Sequence, residues 1–274
     1  MAAGNMLYVT GAMWSPALAA FATKGIFGES IRELPWKWGN ARYAWLGYAI
    51  PILYTVPVYV IVWLSGLGAF NVAFLQKTAA EFGWKNFPPS ITLTLFVLIT
   101  ATIGLIPKLS RALGEEIGWR GFLVPELAKV VSFPKVALIS GLMWAAYHYP
   151  VLLFADYNGG GPRWYSLICF TVMVVAGSFI LAWLVLRAQS LWPAAIFHAS
   201  HNLFVQSICT PLTRDTGQRV ALWLGFDRPD GFAVDKQKIV DFVAVFEKRL
   251  SNRDPSARRQ INRVAVLQNP AALL

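Results

Sequence analysis

Charge is scarce in this 274-residue chain. Asp, Glu, Lys and Arg together make up 14% of it, against about 25% in a soluble domain. The shortage is concentrated between residues 43 and 210, which excludes an ordinary soluble globule and predicts a polytopic membrane protein. Cysteine is scarcer still: Cys169 and Cys209, both within apolar stretches. A disulfide framework needs more cysteines in aqueous loops, so these two are expected as small core residues. Zinc-finger spacing, a basic recognition helix and aromatic–basic RNA motifs are all missing. Nucleic acid is therefore not an expected partner, despite a formal net charge of +10 and a pI near 9.8. Basic loops and a basic tail held against anionic lipid headgroups explain that charge better. No basic stretch precedes the first apolar run and no clear cleavage site follows it, so a cleavable signal peptide is not expected.

What the chain does have is long apolar runs. Residues 44–66, 90–107, 136–155, 164–186 and 191–208 each read as a membrane span. Residues 7–22 are uncharged but short, with Pro16 inside, and read as a weak span or a re-entrant piece. Residues 112–131 carry Glu115, Glu116, Arg120, Glu126 and Lys129, which hydropathy alone would reject. Their apolar residues nevertheless recur at helical spacing, predicting a helix buried by other helices with its charges turned toward a cavity. The fold class expected is all-α, a transmembrane bundle of about six to seven spans with an amphipathic C-terminal tail. Residues 1–43 form a short apolar segment and a basic loop, 44–210 the bundle, and 211–274 a soluble basic tail. Within the tail, residues 234–250 have an amphipathic helical pattern that suits a membrane surface.

If the 112–131 segment spans, the basic 24–42 loop, the 108–111 turn, the 156–163 turn and the tail share one side. That side then carries eighteen Lys and Arg residues against five on the other. The asymmetry predicts a cytoplasmic tail.

The chain's three histidines all fall in two short motifs. WAAYH holds Trp144 and His148, and HASHN holds His198, His201 and Asn202. Upstream, GEEIGWR holds Glu115, Glu116 and Arg120. Ionisable groups at membrane depth are costly and mark functional sites. Glu116 and Arg120 are four residues apart on one helix face, in the favourable acid-before-base order. Glu115 is rotated about 100° away, with Trp119 rather than a cation one turn on. A carboxylate without a cation in an apolar setting is the better general base. His198 and Asn202, also four apart, project from one face, while His201 either shares their volume or points to a neighbouring helix.

Two chemistries fit. Glu115, His148 and His198 could supply the three protein ligands of a catalytic zinc. Alternatively Glu115 and His148 could activate water, with His198 and Asn202 binding the oxyanion. Taken singly, each motif has a bland reading: a satisfied core histidine, or an ion pair used for packing. The joint placement of all three in apolar segments favours function. Trp119, Phe122, Trp144 and Phe197 are expected as pocket walls.

This set of motifs, EExxxR, aromatic-xxx-H and HxxxN, resembles the CAAX-protease and bacteriocin-processing family of intramembrane peptidases, also called the type II CAAX prenyl endopeptidase-like or abortive-infection family. The resemblance covers residues 110–203. It implies Glu115 as the essential glutamate, Glu116 and Arg120 completing its motif, His148 as the second catalytic group, and His198 with Asn202 as the third motif. It implies hydrolysis of peptide bonds near the membrane interface, in a peptide or protein substrate with or without a lipid group, by a metal-dependent or glutamate–histidine route. Trp144 stands where phenylalanine is common, a change that an aromatic wall should survive. The first apolar segment is short, with little chain ahead of it, which bears on the outer topology more than on the site. The expected setting is the plasma membrane of a prokaryote, with membrane lipids as neighbours. The alternative from another class is a non-catalytic membrane protein, of immunity or scaffold type, binding through the same cavity. A metal or proton transporter would need further ionisable groups along a path through the bundle, and the sequence has few.

Overall fold

The computed structural model describes residues 3–154 and 162–216. Their helices are α1 (Ala3–Ile26), α2 (Ala41–Leu64), α3 (Val72–Glu81), α4 (Pro89–Thr102), α5 (Leu105–Glu116), α6 (Val124–Ala128), α7 (Phe133–Phe154), α8 (Arg163–Ala188) and α9 (Trp192–Asn202). Two π-helical segments, Ile117–Leu123 and Leu203–Cys209, follow α5 and α9 directly. The all-α expectation holds, with one small addition. Strands β1 (Gly68–Phe70) and β2 (Thr213–Asp215) pair antiparallel and tie the end of the second π segment to the end of α2. The amphipathic 234–250 segment and most of the 156–163 turn lie outside the described residues.

Four helices among the described residues are long and apolar enough to cross a membrane: Ala41–Leu64, Pro89–Ala128, Phe133–Leu153 and Arg163–Ala188. Their outward faces carry Leu53, Ile61, Leu98, Leu142, Ile168 and Val172, all exposed. Such a surface is costly in water and costs nothing against lipid. Pro89–Ala128 is helical almost throughout, and here the structure departs from the sequence reading. The break falls at Ile103–Gly104, so Lys108 and Arg111 lie inside α5 rather than in a turn. Pro107 does not stop α5, because a helix's first turn has no inner N–H bond to lose.

α9 is the central post. Every residue from Pro193 to Ser200 is buried, and α2, α5 and α8 all pack on it. Trp144, Phe170, Val174, Leu181, Leu184 and Phe197 form the main core, joining α7 and α8 to α9. α1 crosses α5 and the first π segment closely. The crossing depends on the glycines that flank the glutamate pair. A Cβ on Gly114 would sit 2.6 Å from the Met13 carbonyl oxygen, and one on Gly118 would sit 2.5 Å from that of Pro16. Glycine at both positions lets the α1 backbone come down over Glu115 and Glu116.

α1 runs past its apolar core to Lys24, in its last turn. The Lys24 ammonium is buried, at 2.6 Å from Glu29 and 3.0 Å from Glu33. Hydrogen bonds to these two carboxylates hold its pKa above the usual lysine value, and Lys24 in turn holds Glu33 below the usual carboxylate range.

Candidate active site

The three motifs meet in the interior. α5 delivers Glu115 and Glu116 at its end, α7 delivers Trp144 and His148, and α9 delivers His198. Glu115, Glu116, Arg120 and His198 are all buried. The backbone widens to π geometry immediately after Glu116, a local change often found at functional sites. Sequence reading treats 112–131 as one regular helix with its charges inward. Glu115, Glu116 and Arg120 are inward, but Glu126 and Lys129 face out, paired at 2.7 Å.

Glu116 is the closed half of the site. Its Oε1 accepts from Arg120 Nη1 at 3.0 Å and faces His198 Nδ1 at 2.9 Å. Arg120 is fully buried, donates from Nη2 to Ser178 Oγ at 3.1 Å, and lies with Cζ 4.0 Å from the centroid of the Trp144 ring. The expected Glu116–Arg120 pair is therefore present, and His198 joins it. Glu116 Oε2 and Arg120 Nε are left without partners among the described residues. Buried unmet groups of this kind are commonly bridged by internal water.

Glu115 is the other half. Its Oε2 accepts from the Trp144 indole Nε1 at 2.6 Å and lies 3.9 Å from His148 Nε2. His148 Nδ1 is 2.9 Å from the Trp144 carbonyl oxygen. A carbonyl only accepts, so Nδ1 carries a proton, and in the neutral ring Nε2 presents a lone pair to Glu115. Trp144 is the residue that sequence reading undervalued. It walls the cavity as expected, but it also donates to Glu115 and lies under Arg120. The available signal was its identity: tryptophan is the aromatic with an N–H to give, and it stands where phenylalanine is common.

Asn202 is half-buried, and its Oδ1 accepts from Gln206 Nε2 at 3.5 Å. It is absent from the lining of the cavity that His198 enters, although one helix face carries both. His201 does line that cavity, with its Nδ1 2.7 Å from the Tyr54 hydroxyl. Phe197 lines it as well. Trp119 packs edge-on against Tyr147, whose hydroxyl bonds the Ala12 carbonyl and Ser15, closing the site toward α1. Phe122 packs in a separate cluster around Ala17 and Leu191.

The zinc expectation can be set against this geometry. Among the described residues no three His, Cys, Asp or Glu are gathered as a metal-ligand set. The four groups pair instead, Glu115 with His148 and Glu116 with His198. Glu115, His148 and His198 do not form a ready tripod.

Residues 89–204 match the family model described as type II CAAX prenyl endopeptidase Rce1-like. A protein of Methanococcus maripaludis named CAAX prenyl protease 2 is 28% identical over 141 residues, 49% of this chain and 46% of that relative. The chain thus aligns with about half the length of the relative it matches. No solved structure matches. The match takes in all three motifs, and the apolar spans around them make this an integral membrane protein whose residues 89–204 are similar to the Rce1-like type II CAAX prenyl endopeptidases.

Proposed function

We propose that this protein is an endopeptidase that hydrolyses peptide bonds near the membrane interface, using a water activated by Glu115 and His148. The observation that carries this reading is the 3.9 Å gap between Glu115 Oε2 and His148 Nε2, which with a neutral imidazole sets two acceptors facing one another. A water set off their line reaches both at about 2.8 Å and gives each a hydrogen bond. Trp144 holds the carboxylate from one side, and its carbonyl fixes the histidine tautomer from the other. The water oxygen attacks the scissile carbonyl carbon, and its proton passes to Glu115. The C–N bond then breaks, and Glu115 returns that proton to the departing amine. His198 lines the cavity, and its Nε2 lies across the ring from the Nδ1 bonded to Glu116. Donation from that Nε2 to the oxyanion requires the imidazolium form, with Glu116 as counter-ion. Asn202, as the second oxyanion donor, has to swing from Gln206 toward the cavity when substrate arrives. Arg120 neutralises Glu116 and takes no part in proton transfer.

The substrate class proposed is a peptide or protein segment at the bilayer surface, with or without an isoprenoid group on a cysteine. The chain sits in a prokaryotic plasma membrane with its tail in the cytoplasm. The test is cleavage by the purified full chain in liposomes, using matched peptides with and without a farnesyl thioether. Cleavage by wild type and its loss in Glu115→Gln and His148→Ala are expected; full activity in both variants would sink the assignment. Biological protection retained by Glu115→Gln in cells would instead select the immunity or scaffold role. Metal analysis of the same preparations separates the routes. Stoichiometric zinc lost with Glu115 selects a metal mechanism, and an active metal-free protein selects the glutamate–histidine one.

A further inference from the structure

His201 has no part in the proposed hydrolysis, yet it stands on the wall beside it. It follows His198 by three residues on α9, and both line a cavity of about 470 Å³ between α2, α7, α8 and α9. Trp144 and His198 belong to that wall and bond Glu115 and Glu116 respectively. The cavity therefore lies one residue from Glu115, although neither Glu115 nor His148 is part of its lining. Its lining includes no Asp, Glu, Lys or Arg and is mostly apolar. Its volume falls in the usual range of small-ligand sites, roughly 300–1,000 Å³, which is more than one side chain needs. A charged ligand would lose its hydration there without repayment.

The few polar groups on this wall are specifically arranged. The Tyr54 hydroxyl, from α2, lies 2.7 Å from His201 Nδ1. A phenol that donates to Nδ1 leaves the imidazole proton on Nε2. That N–H has no partner recorded among the described residues. Thr55, the next residue on the same wall, has a buried hydroxyl without a partner. Unmet polar groups beside an apolar cavity call for a ligand that is apolar in bulk and carries hydrogen-bonding atoms. An extended peptide with apolar side chains has that chemistry.

Building on the peptidase reading above, we infer that this cavity binds an apolar, uncharged segment of the substrate, and that His201, its tautomer set by Tyr54, donates from Nε2 to a backbone carbonyl of that segment. His201 is thus a substrate-binding residue and Tyr54 its positioning residue.

Cys169 provides a readout independent of turnover. It lines the cavity and is half-buried, whereas Cys209 is buried away from it. The experiment uses the full chain carrying Glu115→Gln in liposomes, an acetylated peptide of apolar residues, and mass-spectrometric measurement of Cys169 alkylation by N-ethylmaleimide. The peptide should slow alkylation by roughly fivefold, and His201→Leu should abolish that protection while His201→Gln, which keeps an N–H donor, retains it. In the active chain, Tyr54→Phe and His201→Leu should each raise KM by roughly fivefold with kcat changed less than about twofold. No protection at all, equal protection in His201→Leu, or a fall in kcat with KM unchanged would each overturn the inference. If wild type cleaves no peptide, the peptidase reading fails by itself. Protection of Cys169 that depends on His201 would then still support the binding site, and protection independent of His201 would overturn it.

Discussion

Glu115 and Glu116 are neighbours in the chain and opposites in the structure. Glu116 is locked between Arg120 and His198, its charge met by a guanidinium at 3.0 Å. Glu115 meets no cation at that range; its partners are an indole N–H and the open nitrogen of His148. One carboxylate is held by an arginine and contacts a histidine. The other is, in the proposed mechanism, the one that takes a proton. The difference arises because adjacent residues on a helix point about 100° apart, so one reaches α9 and the other reaches α7. A repeated residue type in a motif thus says little about shared function.

The sharpest way to break this comparison is to neutralise each carboxylate in turn. Glu115→Gln should cut turnover by about 10³-fold or more, with a thermal midpoint close to wild type, because the amide oxygen can still accept from Trp144. Equal losses of activity and equal thermal stability in Glu115→Gln and Glu116→Gln would erase the distinction. Next in size is Arg120→Met, which leaves Glu116 as an unpaired buried charge. It should cost about 3–5 kcal/mol in detergent unfolding, and much of that should return in the Glu116→Gln/Arg120→Met double variant. A smaller effect tests the Glu115 half. Trp144→Phe removes the N–H at Glu115 and should lower kcat by roughly tenfold with KM little changed, measured on the same peptide. Unaltered kcat would return Trp144 to the role of a wall.

The smallest effect comes from the surface counterpart of the buried pair. Lys24 binds Glu29 and Glu33, whose side chains are about half exposed, so water and salt weaken that contact. The sign follows from the lowered Glu33 pKa. Its stabilisation is present above the ordinary carboxylate range and is lost as pH falls through the depressed folded-state value. Thermal scans should show Lys24→Met lowering the midpoint by only about 2 °C at neutral pH. The gap between mutant and wild type should close on acidification.

Much of the bundle is legible because lipid imposes a simple rule: a span must be apolar and helical. Residues 44–64, 136–154 and 164–186 each lie within a single long helix for that reason. The charged 112–131 segment is legible only through its apolar periodicity, which misses the π turn after Glu116 that no spacing announces. The Ile103–Gly104 break is also hidden, since it falls inside the unbroken apolar run 90–107, and Pro107 beyond it sits in the first turn of α5. The β1–β2 pair is invisible because three-residue strands carry too short a pattern to read.

The site divides in the same way. Sequence by itself determined the ingredients and the local pairs. Two carboxylates, three imidazoles and an arginine lie in apolar segments, and helical pitch alone puts Arg120 beside Glu116. Tertiary structure decided every contact between helices. It gave His198 to Glu116 rather than to Glu115, turned the Trp144 indole onto Glu115, and placed His201 against Tyr54 across the cavity. Contacts four residues apart follow from the helix itself, whereas contacts between helices depend on how closely backbones approach, here through Gly114 and Gly118 beneath α1 and the buried post of α9.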